Sequence, residues 1–162
     1  MLNLLRVDAI NFHQSIGDTN QLSVVRGGGL LMRESIIDLA EALKEHFPHN
    51  EDFHTVSTGG SIGVFLYRRQ SVDESLFIQA LEHALRNDDL PDRTPKWLKD
   101  ALSEFRKKEA GLATHLLSFA VSVQEVKGDN VPETVSYTAF RNAERRALAE
   151  IRIKQMRQPN IV

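Results

Sequence analysis

Hydrophobic and polar positions along the chain fall into blocks with two different periods. Leu2 to Ile10 are mostly apolar, broken only by Asn3, Arg6 and Asp8, the pattern of a strand buried on both faces at a sheet centre. After "NFHQSIGDTNQLSVVRGGG", the segment "LLMRESIIDLAEALKEHF" sets Leu31, Ser35, Ile36, Leu39, Ala40 and Leu43 at helical spacing and predicts a first long helix. "TVSTGGSIGVFLY", Thr55 to Tyr67, reads as two strands turning at Gly59 and Gly60. In it Ile62, Val64 and Leu66 alternate with Gly63, Phe65 and Tyr67, and both strands are expected to be largely buried. Ser71 with Glu74 spells a capping box for a second helix, whose apolar stripe is Leu76, Phe77, Ala80, Leu81, Ala84 and Leu85. Thr94 and Pro95 read as the N-cap and first residue of a third, with Trp97, Leu98, Ala101, Leu102 and Phe105 on one side.

A late strand follows in "HLLSFAVSVQEV", His115 to Val126. Leu117, Phe119, Val121 and Val123 alternate there with Ser118, Ala120, Ser122 and Gln124. "VPETV" reads as a short edge strand, and "SYTAFRNAERRALAEIRIKQMR" as a basic amphipathic C-terminal helix. The order is βαββαβ with an additional helix before the last strand. It predicts an α+β, ferredoxin-like domain with an antiparallel sheet and helices on one face, the core also used by palm-type nucleotidyl transferases and cyclases. The expected division is a palm-like domain over 1–136, with a helical insertion around 94–110, followed by the C-terminal helix and tail over 137–162.

Composition changes this picture little. A chain of 162 residues with 41% hydrophobic content fits one domain with its own core. The formal charge of −2 and pI near 6.3 give no global basic field, so any contact with nucleic acid has to be local. With no cysteine there is no disulfide framework, thiolate metal site or cysteine nucleophile. The N-terminus lacks a signal-peptide pattern and no apolar run reaches membrane-span length, so a cytoplasmic protein without membrane contact is expected.

Candidate chemistry centres on the acids a palm needs. Palm enzymes join nucleotides with two divalent ions held by carboxylates at the end of the first strand and in the central hairpin. Asp8 stands in the first place and is the candidate metal ligand, but Ser61 and Ile62 stand where the hairpin acids belong. The chain is therefore not expected to catalyse alone; the other reading of Asp8 is an ion pair with Arg6 or Arg26. "RGGGLLM" offers Arg26, Gly27, Gly28 and Gly29 before a helix, where backbone N–H groups can meet a phosphate; the alternative is a turn that lets helix and sheet pack closely. It lacks the Lys-Ser/Thr of a P-loop and the GxGxxG spacing. The six histidines show no ligand spacing. His13, beside Phe12 after the first strand, is a candidate for base stacking or phosphate contact, or an exposed loop residue. The clusters "FRKK" and "RNAERR…RIKQMR" are interrupted by acids and read as solvated faces, or else as a helix that binds RNA or a partner.

The segments "AINFHQSI" (Ala9 to Ile16), "RGGGLLM", "STGGSIGVFLY" and "LLSFAVSV" resemble the first palm domain of the large, polymerase-like subunit of type III CRISPR effector complexes, related to the GGDEF cyclases. The likeness spans about residues 2 to 126. In that family the first palm lacks the GGDD acids, the second carries them, and the two face each other to hold two ATP molecules for cyclic oligoadenylate synthesis. The resemblance thus implies that GGSI is ordinary for a first palm. It also implies a nucleotide, ATP or a relative with Mg2+, near Arg26, Gly27, Gly28, Gly29, Gly59, Gly60, Ser61 and His13. The implied partner is a catalytic palm or other effector-complex subunits, with RNA within reach, in an antiviral system. No HD nuclease segment precedes this stretch and no second palm or zinc-binding segment follows it, so catalysis then needs another chain or a longer one. A non-enzymatic subunit that docks protein or RNA is the alternative, and a cyclase built on Asp8 with acids supplied in trans is a third reading.

Overall fold

A strand apolar on both sides needs cover on both faces of its sheet. In the computed structural model β1 (Leu2–Ile10) takes that central place. The structure describes residues 1–10, 22–109, 118–128 and 134–157, with the backbone alone for 10, 22–29 and 118. After β1 come α1 (Leu22–His46), β2 (Phe53–Ser57), β3 (Ile62–Arg68), α2 (Glu74–Arg86), α3 (Lys96–Glu109), β4 (Ser118–Glu125) and α4 (Tyr137–Arg157). The sheet order is β2-β3-β1-β4 and every pair is antiparallel. This is the α+β, ferredoxin-like palm arrangement expected from the pattern, extended by α3 and α4.

Alternation along the strands sorts side chains between two layers. Leu5, Val7, Phe53, Phe65, Tyr67, Phe119, Val121 and Val123 face the main core, which α1 closes with Met32, Ile36, Leu39 and Leu43. Phe77, Leu81 and Leu85 of α2 and Leu98, Leu102 and Phe105 of α3 complete it. Gly63 lies on this face because nothing larger fits. A Cβ there would stand 2.6 Å from Ile36 Cγ2 and 2.8 Å from the Phe65 ring. On the other face Leu2, Leu4, Val64, Leu66 and Val126 meet Ala143 and Ala147 of α4, and Ala120 meets Ile151. Helices therefore cover both faces rather than one. Small alanines at the contact let α4 lie close to β1 and β4. Ser136 opens this helix, its hydroxyl accepting the Ala139 N–H at 3.2 Å. Lys154 donates to the Val121 carbonyl at 2.6 Å and to Glu82 at 3.0 Å, so α4 also screens β4, an edge strand.

Several local expectations are corrected. α1 begins at Leu22, so the glycine triplet lies inside the helix rather than ahead of it. β2 is an edge strand with only Phe53 buried and a register shift between Thr55 and Ser57; half the hairpin, not all of it, is core. Asp73 is the N-cap of α2 and makes no side-chain cap bond, so the Ser71–Glu74 capping box does not form. Thr94 turns its hydroxyl to the Pro91 carbonyl at 2.6 Å, closing a turn before α3 instead of capping it. Of "VPETV", 131–133 lie outside the described residues, as do 115–117 of the last strand, and Thr134 and Val135 are not in a strand.

One buried acid sits between α1 and α3. Ser35 Oγ stands 2.9 Å from the Leu31 carbonyl and 2.8 Å from Glu109 Oε2. A hydroxyl has one hydrogen, so when Ser35 gives it to Leu31 the pair with Glu109 needs a proton on the carboxyl. Burial above all, with the nearby Asp38 carboxyl, pushes Glu109 from 4.5 up to about 7, against the lowering effect of Ser35. The folded state then holds a proton that the unfolded chain releases, so stability falls as pH rises between these two values. Glu109→Gln is expected to stabilise the protein by about 1–2 kcal/mol at about pH 8 and to change little at about pH 5. Urea unfolding at both pH values measures this.

Candidate functional site

The expected site lies where β1 ends beside the β2–β3 turn. Asp8 pairs across the sheet with Ile62 on one side and Ala120 on the other. Arg6 is two residues back and so shares its face, under α4. Its guanidinium fork meets both carboxylate oxygens, Nε to Oδ1 at 2.8 Å and Nη2 to Oδ2 at 3.0 Å. Both residues are buried, Arg6 at 7% and Asp8 at 6% exposure. Arg6 Nη1 also lies 3.8 Å from Glu144 of α4, which Arg141 holds at 2.5 Å. A chain of alternating charge thus runs from the sheet into the helix. Burial raises the Asp8 carboxyl above its ordinary range, and the hydrogen bonds and charge of Arg6 pull it back only in part.

The turn itself is tied to this strand end. The Ile62 N–H donates to the Gly59 carbonyl at 3.2 Å, and the Ser61 carbonyl accepts the Ala9 N–H at 2.8 Å. Gly60 takes φ of +62°, a conformation that side chains resist, whereas a Cβ on Gly59 would meet only Ser57 Oγ at 3.7 Å. Gly60→Ala is expected to cost about 1–2 kcal/mol. Gly59→Ala is expected to stay within about 0.5 kcal/mol. The shift of the denaturant midpoint separates the two.

Asp8, Gly59, Gly60 and Ser61 therefore come together at one end of the sheet. Gly27, Gly28 and Gly29 lie within α1 rather than ahead of it. Beyond the first turn of a helix each N–H bonds to the carbonyl four residues back, so the free amides of α1 lie ahead of the glycines. Of Arg26 the structure describes the backbone alone, and His13 lies outside the described residues. Among the described residues no group of three or more His, Asp or Glu is placed to hold a metal ion. None of their helices is long and apolar enough to cross a membrane.

Sequence reading missed the partners from α4. Arg6 and Asp8 at i and i+2 of a strand could be seen to share a face, but nothing local says that Glu144 and Arg141, some 130 residues on, complete the cluster. At the opposite end of β1, Asn3 and Tyr67 form a buried polar pair at 3.3 Å that the pattern did not single out either. They border a cleft with Phe47, Phe77 and Trp97 of about 10 Å³, room for no more than about one water. No family model, curated protein or solved structure matches the chain.

Proposed function

We propose that the chain is a catalytically silent, palm-type subunit that docks and supports a partner, the non-enzymatic reading among the three the sequence allows. The observation that carries this is the Asp8 carboxylate, with both oxygens engaged by Arg6 under α4. Two-metal chemistry needs carboxylates whose oxygens face the cations, with several more oxygen ligands around them. Arg6 already supplies the positive charge here, and the hairpin brings Ser61 and Ile62 rather than acids. The intrahelical position of Gly27 to Gly29 also favours close packing over a phosphate cradle. The resemblance to first palms of type III CRISPR effector complexes supports a partner that carries the acids and holds ATP with Mg2+ in its own palm.

Calorimetric titration of the chain with ATP and Mg2+, joined to an assay for released pyrophosphate, tests this reading. The expected result is neither binding nor turnover, unchanged in Asp8→Asn. ATP binding or turnover that Asp8→Asn abolishes would overturn it and restore the cyclase reading.

A further inference from the structure

In sequence the basic run of α4 is interrupted by Glu144 and Glu150, but in space it is not. Glu144 turns to Arg6 and Arg141. Glu150 accepts from Ser122 Oγ at 2.6 Å and Gln124 Nε2 at 2.8 Å, and stands 3.5 Å from Lys154. Both acids are thus engaged on the sheet side, with the buried Ala143, Ala147 and Ile151. At about 100° per residue the opposite face gathers Asn142, Arg145, Arg146, Ala149, Arg152, Ile153 and Met156. All seven are exposed and none is acidic. Ile153 and Met156 are large apolar side chains at 44% and 79% exposure. Arg146 gives one N–H to the Glu125 carbonyl at 2.6 Å, while Arg145, Arg152 and Arg157 make no ion pair among the described residues.

The spacing on this face is that of a coiled-coil seam. Ala149, Ile153 and Met156 follow one another by four and three residues, as a and d positions do. Arg145 and Arg152, two turns or about 10.5 Å apart, line one flank, where interhelical ion pairs choose the partner. We propose that this face docks an acidic amphipathic helix of a partner protein. The apolar seam of that helix covers Ile153 and Met156, and its carboxylates meet Arg145 and Arg152. A second copy of the chain fits poorly, because the same face would set arginine against arginine. Nucleic acid would satisfy the arginines but leave Ile153 and Met156 in water, and the seven residues include no aromatic ring for a base to stack on. The inference names the partner for the docking role proposed above and rests on that role for its purpose.

The probe is a labelled synthetic helix with leucine at the seam and glutamate on the flanks, titrated with the full chain by fluorescence anisotropy. The same helix with lysine flanks and a single-stranded RNA oligonucleotide serve as comparisons. The glutamate helix is expected to bind, and the lysine helix to bind at least about tenfold more weakly. Joint Arg145→Glu and Arg152→Glu substitution is expected to weaken the glutamate helix about tenfold or more, and Arg145→Gln with Arg152→Gln to weaken it less. Met156→Asp is expected to weaken both helices. The comparison of the two helices on the unaltered chain needs no variant to fold. No binding of the glutamate helix, equal binding of the lysine helix, or tighter binding of RNA lost in the same variants would overturn the proposal. ATP turnover by the chain would remove the non-catalytic reading and leave this surface intact. Failure of the glutamate helix would do the reverse.

Discussion

Replacing Arg6 with methionine is expected to lower the unfolding free energy by about 3–5 kcal/mol, the scale on which a buried ion pair loses one partner. The loss comes from what is left behind. Asp8 remains 6% exposed on the sheet face under α4, without the guanidinium that now meets both its oxygens. Its carboxyl, already raised by burial, moves further up once the lowering effect of Arg6 is gone. A buried acid whose folded pKa lies above its unfolded value favours folding while protonated, so the defect in Arg6→Met deepens as pH rises through that range. Asp8→Leu in the same background removes the stranded charge and is expected to recover most of the loss, because well-packed apolar replacements of buried pairs are often neutral or better. A double-mutant cycle by urea unfolding measures both steps. Equal stability of Arg6→Met and the unaltered protein would show that Asp8 has another partner or stays hydrated.

The second large effect is expected at Gly63. In an ordinary strand, replacing glycine by alanine gains about 0.5–1 kcal/mol from lost backbone freedom. Here the added Cβ would stand 2.6 Å from Ile36 Cγ2 and 2.8 Å from two atoms of the Phe65 ring. Ile36 is β-branched and 1% exposed, and Phe65 is fully buried, so neither can yield without moving α1 or β3. Overpacking of about 1–3 kcal/mol therefore outweighs the gain. Gly63→Ala is expected to destabilise modestly, and Gly63→Val by about 3 kcal/mol. Thermal unfolding of the two variants orders them. An alanine variant more stable than the parent would show that α1 can shift away from the sheet.

Much of the fold was legible because strands and helices here write their burial into a period. β1 carries apolar residues on both sides and lies in the sheet centre, and β4 alternates as its two neighbouring layers require. What failed was local chemistry with two outcomes. "RGGG" looks like a break before a helix because glycine is a poor helix former, yet the helix runs through it. "STGGSI" marks the turn correctly, but only Gly60 needs its freedom, and the β2 side of the hairpin is an edge. The candidate site was half legible. Asp8 could be read as a metal ligand or as a partner of Arg6, and an i, i+2 pair on one strand face favours the second only when something covers that face. That cover is α4, whose place over β1 and β4 follows from Ala143, Ala147 and Ile151 meeting the sheet, a long-range contact with no local signal.

Asp8 forms an ion pair with Arg6, which also reaches Glu144 of α4, and we propose that it therefore does not ligand a cation. Amide resonances of Ala9, Ser61 and Ile62, recorded while Mn2+ is titrated into the full chain, test it most directly, since a paramagnetic ion on Asp8 would broaden these neighbours first. No selective broadening is expected, either in the unaltered chain or in Asp8→Asn. Selective loss of these resonances at micromolar Mn2+, absent in Asp8→Asn, would contradict it.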